Sequence, residues 1–110
     1  MSLDFSLYYT CDGHNITVYD NNITHNLTEM ADEAGIYDLL WRPKENGYGR
    51  AHSIAHKLEK GIKLLKDNPK KFEKLNPENK WGSYENLIEF AESVLDACNE
   101  YPNAFIDSDV

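Results

Sequence analysis

Leu3, Phe5, Leu7 and Tyr9 alternate with Asp4, Ser6, Tyr8 and Thr10. A period of two is that of a half-buried strand. Cys11-Asp12-Gly13-His14 follows, and its Asp-Gly pair marks a hairpin turn because Gly accepts positive φ. Alternation resumes from Asn15 to Tyr19, with Ile16 and Val18 expected to face inward. Residues 2–20 are therefore expected to form a β-hairpin. An isolated hairpin is marginal in water, so its apolar face has to pack on helices.

The period then changes. Asp20-Asn21-Asn22 reads as a turn, and Ile23, Leu27, Met30, Ala31 and Ala34 fall at helical spacing. Asn22 or Thr24 is the expected N-cap, its side chain accepting an orphan backbone N–H. Gly35 ends that helix or breaks it before a short turn at Ile36–Trp41, and Pro43 blocks continuation. Residues 44–49 read as a flexible connection. Arg50 to Asp67 carries the clearest helical stripe: Ile54, Ala55, Leu58, Ile62 and Leu65. Gly61 interrupts it at a cost of about 1 kcal/mol relative to Ala, which close packing of another element would explain. Pro69 suits the first turn of a short helix over Pro69–Leu75. Residues 76–82 form a turn-rich loop. Ser83 caps a last helix whose stripe is Tyr84, Leu87, Ile88, Ala91, Val94, Leu95 and Cys98, and Pro102 stops it. Ala104-Phe105-Ile106 suits a short third strand beside the hairpin, and Asp107 to Val110 are expected to fray. The expected fold is α+β, a small antiparallel sheet packed against about four helices, in one domain over residues 1–110.

Length and charge narrow what such a domain can do. The chain has 110 residues, 41% of them hydrophobic, and a formal net charge of −8. That length allows a single core of ordinary size. No apolar run approaches the roughly 20 residues that span a bilayer. The opening Met1-Ser2-Leu3-Asp4 is unlike a secretory leader, so a cytoplasmic setting is expected. The charge is segregated. Residues 1–41 hold seven acids and no Lys or Arg, residues 42–80 hold all eleven basic residues with five acids, and residues 81–110 hold seven acids and no base. A net-acidic domain is repelled by nucleic acid as a polymer, yet a basic middle segment can still hold a small anion or simply neutralise the flanks. Cys11 and Cys98 have no metal or redox spacing and read as free thiols. The sequons at Asn15, Asn22 and Asn26 matter only in a secreted chain. In a cytoplasmic one they mark turn and cap chemistry.

Three constellations could carry chemistry. Asn21-Asn22-Ile23-Thr24-His25-Asn26 gathers amides, a hydroxyl and an imidazole at an expected helix N-terminus, where an anion is favoured. Trp41-Arg42-Pro43 and Asn76-Pro77-Glu78-Asn79-Lys80-Trp81-Gly82-Ser83-Tyr84 bring planar groups that stack on bases and a guanidinium that forks onto phosphate. The bland account of both Trp residues is that they close the core under loops. His52 and His56 share a helical face. A zincin would need Glu where Ser53 stands, and no further ligand is near, so exposed histidines are expected and no metal. No nucleophile motif is present, so no cofactor and no catalytic set are assigned. The residues selected for ligand binding are Asn22, His25, Asn26, Trp41, Arg42, Trp81 and Tyr84.

Three groups of strings resemble a family of small hypothetical proteins from bacteriophages and prophages. These are Val18 to Ala31, with Asn-Ile-Thr-His-Asn at its centre, then Ala34-Gly35-Ile36-Tyr37 with Leu40-Trp41-Arg42-Pro43, and then Asn76-Pro77-Glu78-Asn79 with Trp81-Gly82-Ser83-Tyr84. The resemblance covers about Leu3 to Ile106. Lys80 stands where the family pattern often has Gly. The resemblance implies phage origin more than mechanism. The leading expectation is a non-enzymatic accessory protein that binds a small, nucleotide-like anion, such as a host-defence signal, in the host cytoplasm. A homodimer is compatible with it, since two copies make a deeper pocket. The rival expectation is an acidic interaction module that inhibits a host protein by mimicking nucleic acid or occluding a basic surface.

Overall fold

The first alternating run becomes β1 (Ser2–Cys11), in a computed structural model that describes residues 2–80 and 82–110. Leu3, Phe5 and Leu7 are fully buried on one face of it. Asp12 and Gly13, at φ 50° and 79°, turn the chain into β2 (His14–Thr24), as the Asp-Gly signal predicts. β3 (Phe105–Asp109) pairs with the other side of β1, giving an antiparallel sheet of order β2-β1-β3. The α+β expectation holds.

Two features of β2 depart from the expected hairpin. Leu7 pairs with Tyr19 but Tyr8 with Thr17, so Val18 is the extra residue of a bulge. Beyond it Ile16 sits opposite Tyr9 at the margin of the core and stays 51% exposed rather than buried, while Val18 is partly buried against the core. At the other end the strand does not stop at Tyr19. Asp20, Asn21 and Asn22, expected in a turn, pair with Ser6, Phe5 and Asp4, and Ile23 packs beside Leu3. The N-terminal half of β1 offers these partners, and sheet pairing with a buried Ile23 outweighs the local turn preference of Asn. Asn22 is therefore a strand residue and not a helix cap.

Thr24 does cap, but it caps a 3-10 turn at His25–Leu27, its hydroxyl accepting the Asn26 N–H at 3.2 Å. The expected first helix is shortened to α1 (Thr28–Glu33), and Gly35 leads into a separate α2 (Tyr37–Leu40). A 3-10 turn at Lys44–Asn46 follows Pro43. Then come α3 (Ala51–Asp67), α4 (Pro69–Glu73) and α5 (Tyr84–Glu100), close to their expected spans. The Ser83 hydroxyl accepts the Asn86 N–H, the cap expected of it. Phe90 and Ala97 join the buried stripe of α5, while Ile88 and Leu95 are half-buried at its margin. β3 reaches Asp109, well into the tail expected to fray, where the Ser108 hydroxyl donates to the Leu40 carbonyl at 2.7 Å.

α3 and α5 pack against each other and cover one face of the sheet. Gly61 explains itself here. A Cβ on it would stand 2.1 Å from Ile36 Cγ2 and 3.0 Å from the Ala34 carbonyl oxygen, so α3 meets the α1–α2 connection at its glycine. No helix among the described residues is long and apolar enough to cross a membrane.

Candidate functional site

The aromatic residues selected from the sequence turn inward. Trp41 is 3% exposed, its ring stacked on Tyr37 at 5.6 Å, and its indole N–H donates to His25 Nδ1 at 2.9 Å. His25 thus answers a buried donor that would otherwise be unpaired. Tyr84 is buried too. Its hydroxyl donates to the Leu65 carbonyl, joining α5 to the end of α3, and burial pushes the phenol up from its ordinary range. Neither ring leaves a face open for a base to stack on. Arg42 is part-exposed beside Glu45 at 3.7 Å, and a hydrogen bond with Tyr37, reinforced by Glu45, holds its charge still more firmly. It borders a shallow depression of about 140 Å³ with Trp41, Pro43 and Lys44. Asn26 is exposed on the 3-10 turn. Asn22 lies elsewhere, on β2. Trp81 lies outside the described residues. The structure therefore brings His25, Trp41 and Arg42 together and places Asn22 and Tyr84 apart from them.

His52 and His56 are exposed on α3. Among the described residues no group of three or more His, Cys, Asp or Glu is placed to hold a metal. Cys11 and Cys98 are both free thiols. Cys98 is buried in the core, which pushes its thiol up to about 12 and keeps it from acting as a nucleophile.

A different cluster emerges on the sheet face that the helices leave open. The register sets Asp20, Ser6 and Asp107 in one row across the three strands, and Asn22, Asp4 and Asp109 in the next. These six residues border a cleft of about 510 Å³. Among the described residues a single cation pairs with these aspartates: Lys44 lies 3.7 Å from Asp107, both side chains being well exposed. At one end of the face Tyr8 packs on Phe105, which the Arg50 guanidinium covers at 4.5 Å from the ring centre. A second cleft, about 390 Å³, lies on the helix side of β2, between Asn21 and Thr24 on one wall and Asn86 and Glu89 of α5 on the other. Gly82 forms part of it, packed so closely that a Cβ would stand 2.6 Å from Thr24 Cγ2. Both clefts share Asn21 and Asn22, and among the described residues no Lys or Arg borders either.

Sequence reasoning passed over this face because its aspartates come from three separated segments. The alternation around Phe5 marks Asp4 as outward-facing, but the register with β3 decides what stands beside it. Comparison with protein families, with curated proteins and with solved structures returns no match.

Proposed function

We propose that this protein is an interaction module whose open, acidic sheet face binds a positively charged surface of a partner protein. The observation that carries this reading is the pair of rows containing Asp4, Asp20, Asp107 and Asp109 on one uncovered face. Asp4 and Asp109 stand directly opposite each other across the strands. Like charges in that position cost stability, so the arrangement serves something other than the fold. The net charge of −8 adds long-range attraction for a basic partner. For a protein of phage origin, as the resemblance implies, that partner is a host protein, and covering its basic surface would inhibit it or keep nucleic acid away.

The test is capture from host extract at 50 and 300 mM salt, with the wild type and with Asp4, Asp20, Asp107 and Asp109 all changed to Asn. A basic protein held by the wild type, released by salt and not held by the neutralised variant is the expected result. Capture that survives neutralisation, with the fold intact by circular dichroism, overturns the reading.

A second reading keeps a small ligand, and the cleft at Asn22 favours it. The side-chain amides of Asn21 and Asn86 can both donate and accept there. With Glu89 and no Lys or Arg among the described residues of its walls, this cleft suits a neutral polar molecule better than an anion. Arg42, on which the anionic expectation rests, borders a separate depression. Mass spectrometry of small molecules released from the purified protein tests this. No retained ligand, and no thermal shift with nucleosides or nucleotides, removes it.

A further inference from the structure

β2 is an outer strand of the sheet, and the two clefts flank its free edge, one on the open face and one toward α5. An edge strand offers outward N–H and C=O groups to which another strand can add. The side chains of the added strand then fall alternately on the two faces. The opposite edge of the sheet is already occupied. There the Ile106 N–H donates to the Gly49 carbonyl at 3.0 Å, and Arg50 bridges to Phe105. Among the described residues no backbone group from outside the sheet bonds to β2 before Thr24, which caps the 3-10 turn at His25–Leu27. The Asn22 N–H is met by Asn21 Oδ1 at 2.8 Å, a local and displaceable partner, so it points away from β1. By strand alternation the amides of Asp20 and Thr24 point outward with it.

Charge selects the occupant. Asp4 and Asp20 stand on one side of this edge and Glu89 on the other. A second copy adding its own β2 would bring Asp20 and these same carboxylates against their counterparts. We propose that residues 19–24 of β2 accept an added strand from the partner, an extended segment carrying Lys or Arg on both of its faces. This rests on the reading that the partner is basic and adds where, and in what conformation, it binds.

The probe is a synthetic peptide of two Lys-Lys-Thr-Thr repeats, which places Lys on both faces of an extended strand, compared with the same peptide N-methylated at every residue and with a counterpart carrying Glu in place of Lys. Affinity is read by titration calorimetry and the site by amide NMR shifts. The plain peptide is expected to bind, to shift the amides of residues 19–24, and to bind at least tenfold more tightly than the N-methylated form. The Glu counterpart should not bind. Asn22→Pro removes one outward N–H without removing a bond to β1, and it should weaken the plain peptide at least tenfold while circular dichroism stays unchanged. Equal affinity of the plain and N-methylated peptides overturns strand addition but leaves the acidic-face reading standing. No binding of the plain peptide, in a protein that still captures its basic partner, overturns strand addition as well. Self-association through the same amides without peptide overturns the choice of occupant.

Discussion

Asp4 and Phe5 are adjacent in the chain and stand on opposite faces of β1. Phe5 is fully buried, its ring edge-on to Phe90 of α5 at 6.5 Å, among residues drawn from both α3 and α5. Asp4 is exposed, between Asn22 and Asp109. The contrast separates two jobs. Burial on the covered face supplies the free energy of folding, whereas the open face contributes little to it and is free to carry charges that the fold does not need. The sharpest way to break this comparison is to truncate both residues. Phe5→Ala should cost about 3–5 kcal/mol, a large part of the 5–15 kcal/mol expected for such a domain. Asp4→Ala should change stability by no more than about 0.5 kcal/mol. Urea denaturation of the two variants measures both, and comparable losses would mean the open face is covered in solution.

The covered face should also fail first in alkali. Cys98 is fully buried and its thiol is raised from 9.0 to about 12. A raised folded value means that the unfolded chain loses the proton first. The stability is complete below pH 9 and drains away as pH climbs toward 12, at about 1.4 kcal/mol per unit. Tyr84, also raised by burial, acts in the same direction. Between pH 8 and 10.5 the wild type should lose about 2 kcal/mol more than Cys98→Ala. Parallel losses in the two proteins would place Cys98 in contact with water.

Gly61 tests how tightly the covering layer is fitted. Elsewhere in a helix Gly→Ala gains about 1 kcal/mol, but here the added methyl meets the β-branched Ile36 and a backbone carbonyl. Overpacking of this kind costs about 1–3 kcal/mol. Set against that gain, a net loss of up to about 2 kcal/mol, seen as a lowered Tm, is expected for Gly61→Ala. A gain would show that the α1–α2 connection can move away.

What could be read from the chain follows the same division. β1, α3 and α5 are long and strictly periodic, and each is dictated by its own residues, so their positions were legible. The close approach at Gly61 was legible as well, because a helical glycine needs a reason. The stretch Asp20 to Thr24 was not. Its Asn residues favour turns locally, and only the partner residues Ser2 to Ser6, some twenty positions away, hold it as a strand. Trp41 could be read either as a stacking surface or as core. The choice rests on His25, sixteen residues earlier, which accepts its N–H. The acidic face depends on a register between β1 and a strand at the far end of the chain, and no local pattern encodes that register.

The smallest expected effect bears most directly on why the open face looks as it does. Asp4 and Asp109 are cross-strand partners of like charge, and neither has an ion-pair partner among the described residues. Such a pair is destabilising by about 0.2–1 kcal/mol, and salt screens it. Asp109→Asn should therefore stabilise the protein by a few tenths of a kcal/mol at low ionic strength, with the gain shrinking at 0.5 M salt. It should at the same time weaken capture of a basic partner. A variant that becomes more stable and binds less well would show directly that this face is maintained at the expense of the fold. A variant that loses stability would mean that Asp109 has a structural partner in solution, and the open face would then lose its claim to be free for binding.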